Sequence, residues 1–205
     1  MAMLEALMES ASVNENVGHT LLLDAAYHLY AEEPHGWADT IHEAMTNGWP
    51  WPENLLITFA LSLSKSHTIY GLRTGALVSI HPDAEVTERV GTVMGVTGRQ
   101  TWSAAPRVSQ YTVSEIHASD EGGAAWSNER DRLQALLVER RDALVAACNE
   151  LKVPLNPTHD GFFAWLEHDN PVQIAEACAT HHVYLVPLAG GVRIGLCAVP
   201  LAQIP

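Results

Sequence analysis

The stretch Ser62-Leu63-Ser64-Lys65 closes an apolar run that begins at Leu55, and Arg73 follows eight residues after the lysine. The chain has nine arginines but only two lysines, Lys65 and Lys152. Lys152 follows a helical pattern and precedes Val153-Pro154, so it reads as a helix C-terminus. Lys65 instead ends an apolar run, where partial desolvation favours the neutral, nucleophilic amine. That is the condition a Schiff-base lysine needs. Two hydroxyls, a lysine and an arginine around one turn also suit a phosphate clamp. The competing reading is a strand-end lysine that snorkels to water beside a surface arginine.

Two further positions carry charge where an apolar pattern dominates. Asp24 ends the run Thr20-Leu21-Leu22-Leu23 and precedes Ala25-Ala26-Tyr27. Ligands of α/β sheets gather at the carboxyl ends of strands. A buried carboxylate there needs a partner, and a protonated ring nitrogen would serve; otherwise Asp24 caps the following turn. Arg193 sits inside Gly190-Gly191-Val192-Arg193-Ile194-Gly195-Leu196, an otherwise apolar strand. An unpaired buried guanidinium is unfavourable, so Arg193 should meet an anion. A substrate carboxylate held by two hydrogen bonds and a structural salt bridge are equally compatible with the pattern.

These residues need a scaffold, and the pattern supplies an α/β one. Residues 3–12 read as a helix with Met3, Leu4, Leu7 and Met8 on one face. Thr20–Leu23, 54–61 and 75–80 read as three buried strands, with a helix over 38–45 between the first two. Helices are expected over 83–96, capped by Asp83, and over 102–117. Residues 119–125, with Gly122-Gly123, read as a hinge. Asn128 to Leu151 is the clearest helix, with Leu133, Leu136, Leu137, Leu144, Val145 and Cys148 as its stripe and Asn128 as its cap. Strands are then expected at 162–166, 183–188 and 192–199, with a helix over 171–180. The expected organisation is a partial α/β large domain over 1–118, followed by the linking helix and a small C-terminal α+β domain over 119–205.

Bulk properties exclude other classes. The 205 residues carry a net charge of −13, which disfavours nucleic acid and anionic membrane surfaces as partners. No apolar run approaches the roughly 20 residues of a membrane span, and the acidic N-terminus is no secretory signal. Three scattered cysteines, Cys148, Cys178 and Cys197, read as buried thiols of a reducing cytoplasm. Among eleven histidines, His181-His182 and His159-Asp160 are the nearest to metal-ligand spacing, but adjacent strand histidines point to opposite faces, so no metal site is expected.

Taken in order, Asp-x-Ala-Tyr, Ser-x-Ser-Lys, an arginine eight residues on and a C-terminal Gly-x-Arg resemble the class I branch of the pyridoxal-phosphate aminotransferases, close to the aspartate and aromatic enzymes. Leu63-Ser64-Lys65-Ser66-His67-Thr68-Ile69-Tyr70-Gly71-Leu72-Arg73-Thr74-Gly75-Ala76 is the most specific part. Gly161-Phe162-Phe163-Ala164-Trp165 and Val183-Tyr184-Leu185-Val186-Pro187 resemble the family's small domain. The resemblance implies a partial large domain with a mixed, mostly parallel sheet. It implies transfer of an amino group from an amino acid to a 2-oxo acid through pyridoxal 5'-phosphate. Lys65 would bond the cofactor and shuttle the α-proton, Asp24 would hold the ring nitrogen protonated, and Tyr27 would bond the phenolic oxygen. Ser62, Ser64 and Arg73 would hold the phosphate, with Ser62 and Arg73 the stronger matches. Arg193 would hold the substrate α-carboxylate. Arg99, in Arg99-Gln100-Thr101-Trp102-Ser103, matches an arginine that reaches a neighbouring subunit's site in relatives that use dicarboxylates.

The resemblance begins in the middle of the family's sequence. The glycine and hydroxyl turn for phosphate, the aromatic ring that stacks on the cofactor and the Asn-Pro-x-Gly loop all belong upstream; Asn156-Pro157-Thr158 is a decoy, lying after the lysine. Two functional readings follow. The chain is the aminotransferase part that carries Lys65, working as a homodimer or with a complementing N-terminal half. Alternatively it is a catalytically inactive remnant, or one half of a split enzyme, that acts as a binding or interaction subunit.

Overall fold

Leu55–Ser62 forms strand β2, whose Leu55, Ile57, Thr58 and Phe59 are all buried. Side chains buried on both faces mark a central strand. Parallel to it runs β1 (His19–Asp24), with Leu21 opposite Ile57 and Asp24 opposite Ala60. On its other side lies β3 (Gly75–Ile80), antiparallel, with Gly75 opposite Ser62. The sheet is therefore mixed. Only Gly fits at position 75, because a Cβ there would stand 2.5 Å from the Leu61 carbonyl oxygen. The computed structural model describes residues 2–48 and 50–204.

The chain divides into two compact units: residues up to Leu29 with Glu33–Gly123, and Tyr30–Glu32 with 124–205. In the first, helices α1 (Ala2–Val13) and α2 (Gly36–Thr46) cover one face of the sheet. Leu4, Met8 and Ala11 from α1, Ile41 and Ala44 from α2, and Leu55, Ile57 and Phe59 from β2 form its core. A single helical turn, α3 (Leu63–Ser66), follows β2 directly. Helices α4 (Ala84–Thr101) and α5 (Arg107–Ile116) complete this unit. Asp83 caps α4 as expected, accepting from the Glu85 amide at 2.9 Å.

The sheet departs from the sequence reading in its burial. β1 alternates, leaving Thr20, Leu22 and Asp24 exposed, and β3 is exposed over Gly75–Val78. A continuous apolar run implies two covered faces, but among the described residues β1 is covered on one face only and the first four residues of β3 on neither.

Helix α6 (Asp120–Leu151) is longer than expected. The stretch read as a hinge, 119–125, lies in its first turns, and Asn128 is interior. Ser119 caps it instead, its Oγ accepting from the Gly122 amide at 3.1 Å. Gly122 belongs there because a Cβ would collide with the Ile116 carbonyl oxygen. At the other end Lys152 adopts a left-handed conformation (φ 57°). The Val153 amide donates to Cys148 O at 2.8 Å and the Lys152 amide to Asn149 O at 3.3 Å, a Schellman closure with lysine in the place usually taken by glycine.

The second unit packs α6 on a small antiparallel sheet of β4 (Phe163–Glu167), β5 (Val186–Leu188) and β6 (Gly191–Gly195), in the order β4-β6-β5, with α7 (Pro171–Ala179) between β4 and β5. Tyr30, Leu137 and Leu196 are its buried centre, with Leu133, Leu144 and Phe162 packed around them. The three cysteines are free, but only Cys148 is buried; Cys197 is exposed because β6 ends at Gly195 instead of running to Val199. Burial pushes the Cys148 thiol up from its ordinary value. Among the described residues no helix is long and apolar enough to cross a membrane.

Candidate active site

Lys65 stands on α3, one turn beyond the carboxyl end of β2, and is half-buried. A four-residue helix has no stability of its own. Neighbouring segments must hold it, and the hydrogen bonds show which ones do. The Ser64 amide donates to Thr74 O at 3.3 Å, and the His67 amide closes the turn on Leu63 O at 3.0 Å. Buried Ser64 accepts from Arg73 Nη1 at 3.4 Å, and the same nitrogen donates to Tyr70 O at 2.7 Å.

Arg73 takes a left-handed conformation, φ 52° and ψ 54°, at the end of a 3-10 turn over Tyr70–Leu72. This backbone state turns the guanidinium back over the Tyr70 ring, 4.7 Å from its centroid. The Lys65 ammonium lies 5.0 Å from the same ring and 5.7 Å from that of Tyr27. An amine, a guanidinium, a buried hydroxyl and two phenols thus form one contiguous cluster at the end of β2. Cations over aromatic faces at these distances are attracted by the ring quadrupole.

The sequence candidates do not all meet. Lys65, Tyr27, Ser64 and Arg73 meet in the cluster just described. Asp24 lies at the matching end of β1, across from Ala60, but it is exposed rather than buried. It ends a strand with one uncovered face, and its Oδ1 accepts from the Ala26 amide at 3.1 Å, a turn cap. Ser62 is half-buried at the head of α3 and makes no capping bond; Ser64 is the hydroxyl that Arg73 reaches. Arg99 lies apart on the last turn of α4, exposed, donating to Ser103 Oγ at 2.8 Å.

Arg193 belongs to the second unit. It lies on β6 opposite Trp165 and Val186, with its guanidinium 4.4 Å from the centroid of the Phe163 ring. Its Nε is buried with no hydrogen-bond partner among the described residues. Among the described residues no salt bridge to Arg193 is formed, and the residue as a whole is half-buried.

Several residues of the site are not among the sequence candidates. Tyr70 is the surface shared by both cations. His67 follows Ser66 directly, with Ser66 Oγ and His67 Nδ1 2.9 Å apart, and His67 Nε2 lies 3.0 Å from Nε2 of His117. Burial first, and His117 second, lower the His67 pKa from 6.5 to about 4. Thr74 donates to Ser109 on α5, both buried. Only the adjacency of His67 to the lysine turn could have drawn attention to it. Among the described residues no group of three or more His, Cys, Asp or Glu is placed to hold a metal.

The family model for aminotransferase class I and II matches residues 1–205. The chain belongs to this family. It is 27% identical to the aromatic-amino-acid aminotransferase of Paracoccus denitrificans, over 98% of this chain and 50% of that protein. A crystal structure of an aminotransferase from Anaerococcus prevotii matches it with a TM-score of 0.88 at 29% identity, over 97% of this chain and 47% of the other. An aromatic-amino-acid aminotransferase from Burkholderia pseudomallei, solved covalently bound to pyridoxal phosphate, shares the fold at TM-score 0.65 and 22% identity, over 97% and 48% of the two chains. The α/β architecture with a mixed sheet is the aminotransferase fold. The chain spans about half the length of the curated relatives it matches.

Proposed function

We propose that this chain carries the lysine and substrate-carboxylate side of a pyridoxal-phosphate aminotransferase, which moves an amino group from an amino acid to a 2-oxo acid. The observation that carries this reading is the cluster of Lys65, Tyr27, Tyr70, Ser64 and Arg73 at the end of β2. Its donor chemistry fits the cofactor: an amine for the aldehyde, a guanidinium with a buried hydroxyl for the phosphate, and phenols for the ring oxygen. When bound, pyridoxal phosphate supplies the electron sink that stabilises negative charge at the substrate α-carbon.

The chain's own residues then have distinct tasks. Lys65 Nζ would hold the cofactor and, once free of it, would take and return the substrate α-proton. Arg73, Ser64 and Ser62 anchor the phosphate. Asp24 places a carboxylate at the end of β1, where it would face the ring nitrogen. Tyr27 orients the phenolic oxygen. Arg193 would hold the substrate α-carboxylate, and its Nε, buried without a hydrogen-bond partner among the described residues, supports that assignment. Arg99 would serve dicarboxylate substrates of a neighbouring subunit. Three free cysteines and the negative net charge support a cytoplasmic setting without nucleic-acid or membrane partners.

The exposed sheet face, with Leu22 61% and Leu77 47% accessible, favours a second component. Apolar strands are normally covered, so this face supports either a homodimer or pairing with a complementing N-terminal half. If the site fails without that component, the chain acts as an interaction subunit.

The deciding experiment is an absorbance titration of the purified chain with pyridoxal phosphate, beside Lys65→Ala. A Schiff-base band that survives gel filtration in the wild type and is missing in the variant is the expected result. No band in the wild type overturns self-sufficiency and moves the role to that of an interaction subunit.

A further inference from the structure

Helix α5 is tied to the lysine turn at both of its ends. At its start, Ser109 is fully buried and accepts from Thr74, the residue whose carbonyl receives the Ser64 amide. Ser109 Oγ in turn donates to Pro106 O at 2.9 Å. At its end, His117 meets His67, which directly follows α3. Neither tie is local in sequence, and together they bracket the four residues that carry Lys65.

The His67–His117 contact has a defined geometry. The two Nε2 atoms are 3.0 Å apart, while the ring centroids are 5.3 Å apart and the ring planes cross at 81°. The difference between those separations is one full imidazole width. Both nitrogens therefore lie close to the line joining the ring centres, a geometry that suits one N–H···N hydrogen bond with either ring as donor. This is head-on hydrogen-bond geometry. It is unsuited to a shared metal, towards which the two nitrogens would have to converge at an angle. His67 uses its other nitrogen on buried Ser66. A neutral imidazole has one donor and one acceptor, so the order Ser66–His67–His117 runs in one direction at a time and couples the tautomer of one ring to that of the other.

We propose that His117 is a positioning residue for Lys65, acting through His67 and Ser66 to hold the α3 turn in register with the end of β2. This rests on the assignment of Lys65 as the cofactor lysine. A four-residue turn is held only by its tertiary ties, and a displacement of the amine by about 1 Å is enough to slow attack on a bound carbonyl substantially. His117 touches neither cofactor nor substrate in this scheme. It transmits the rigidity of a ten-residue helix to a turn that has none of its own.

The test compares the full chain with His117→Gln, whose amide can still bond His67 Nε2, and His117→Leu, whose side chain cannot. Hydrogen exchange at the His67 and Thr68 amides, which close the α3 turn, reads the tie without any cofactor. Exchange is expected to rise about three- to tenfold in His117→Leu, the range one hydrogen bond supplies, and to stay within about twofold of wild type in His117→Gln. The rate at which Lys65 forms its covalent adduct with pyridoxal phosphate should fall in parallel in His117→Leu and recover in His117→Gln. His67→Gln, which keeps His117 intact, provides the same comparison from the other side should His117→Leu fail to fold. Unchanged exchange, or faster exchange with an unchanged adduct rate, overturns the proposal. If wild type forms no adduct, self-sufficiency of the chain fails, and the exchange arm alone still decides whether His117 holds the turn.

Discussion

The Lys65 ammonium stands 5.0 Å from the centroid of the Tyr70 ring. Arg73 lies over the same ring, so one exposed phenol serves two cations. Each contact at an exposed site is worth about 0.5–1 kcal/mol. Replacing Tyr70 by Ala should therefore lower unfolding free energy by about 1 kcal/mol, while Tyr70→Phe, which keeps the ring face, should change it little. Urea unfolding of the two variants checks this. Equal losses in both would assign the effect to the hydroxyl instead.

Arg73 stores strain at the site. A non-glycine residue at φ 52° and ψ 54° carries about 1–2 kcal/mol of steric penalty. Arg73→Ala and Arg73→Gly both remove the guanidinium and its bonds to Ser64 and Tyr70, but only glycine relieves the backbone. The glycine variant should thus be more stable than the alanine variant by roughly 1 kcal/mol, although glycine loses more chain entropy on folding. Both should bind inorganic phosphate or pyridoxal phosphate more weakly than wild type. A thermal-unfolding series with and without ligand separates the two effects. An alanine variant at least as stable as the glycine variant would show that the left-handed conformation carries no penalty.

Much of this arrangement was visible in the residue pattern, and what was not has a common cause. Helix α1 and strands β1 and β2 follow from apolar runs and periodicity, which are local signals. The start of α6 was misplaced because Gly122-Gly123 signals a break, whereas Gly122 is there to let the helix approach the Ile116 carbonyl. The turn cap made by Asp24 is one of the two readings its position allows, but its exposure is not legible, because an apolar strand does not reveal whether both of its faces are covered. Tyr70 lies within a stretch that was already singled out, but its role depends on the left-handed turn at Arg73, a state that arginine seldom adopts. Ser109 and His117 reach the lysine turn across 35 and 50 residues of chain, to Thr74 and His67 respectively. No pattern within one sequence encodes such a pairing.

The lowered pKa of His67 makes stability pH-dependent with a definite sign. Its ring stays neutral in the folded chain until about pH 4 but takes up a proton near 6.5 when unfolded. The unfolded state then binds more protons between those values, so stability falls as pH drops through that window. The contribution is complete above about 6.5 and lost towards 4. Carboxylates titrate at the lower end, so the difference between wild type and His67→Gln is the useful quantity. It should shrink steadily from pH 6.5 to 4 in urea unfolding. A constant difference across this window would show that the ring titrates alike in both states.

Arg193 gives the sharpest separation of stability from function. Its guanidinium lies over the Phe163 ring, and its Nε is buried without a hydrogen-bond partner among the described residues. Desolvating a charged group without a counter-ion opposes folding, and apolar replacements of similar volume at such positions are often neutral or stabilising. Arg193→Met keeps the packing against Phe163 and removes the charge, so it should unfold at an equal or higher temperature than wild type. A carboxylate ligand supplies the missing counter-ion only when the guanidinium is present. A 2-oxo dicarboxylate at high concentration should therefore raise the wild-type unfolding temperature and leave that of Arg193→Met unchanged. If the variant is clearly less stable in the absence of ligand, the guanidinium has a structural anion partner in solution. If the ligand stabilises both proteins equally, carboxylate binding lies elsewhere. Only the combination of an unharmed fold and a lost ligand response identifies a group that is kept for binding at the expense of stability.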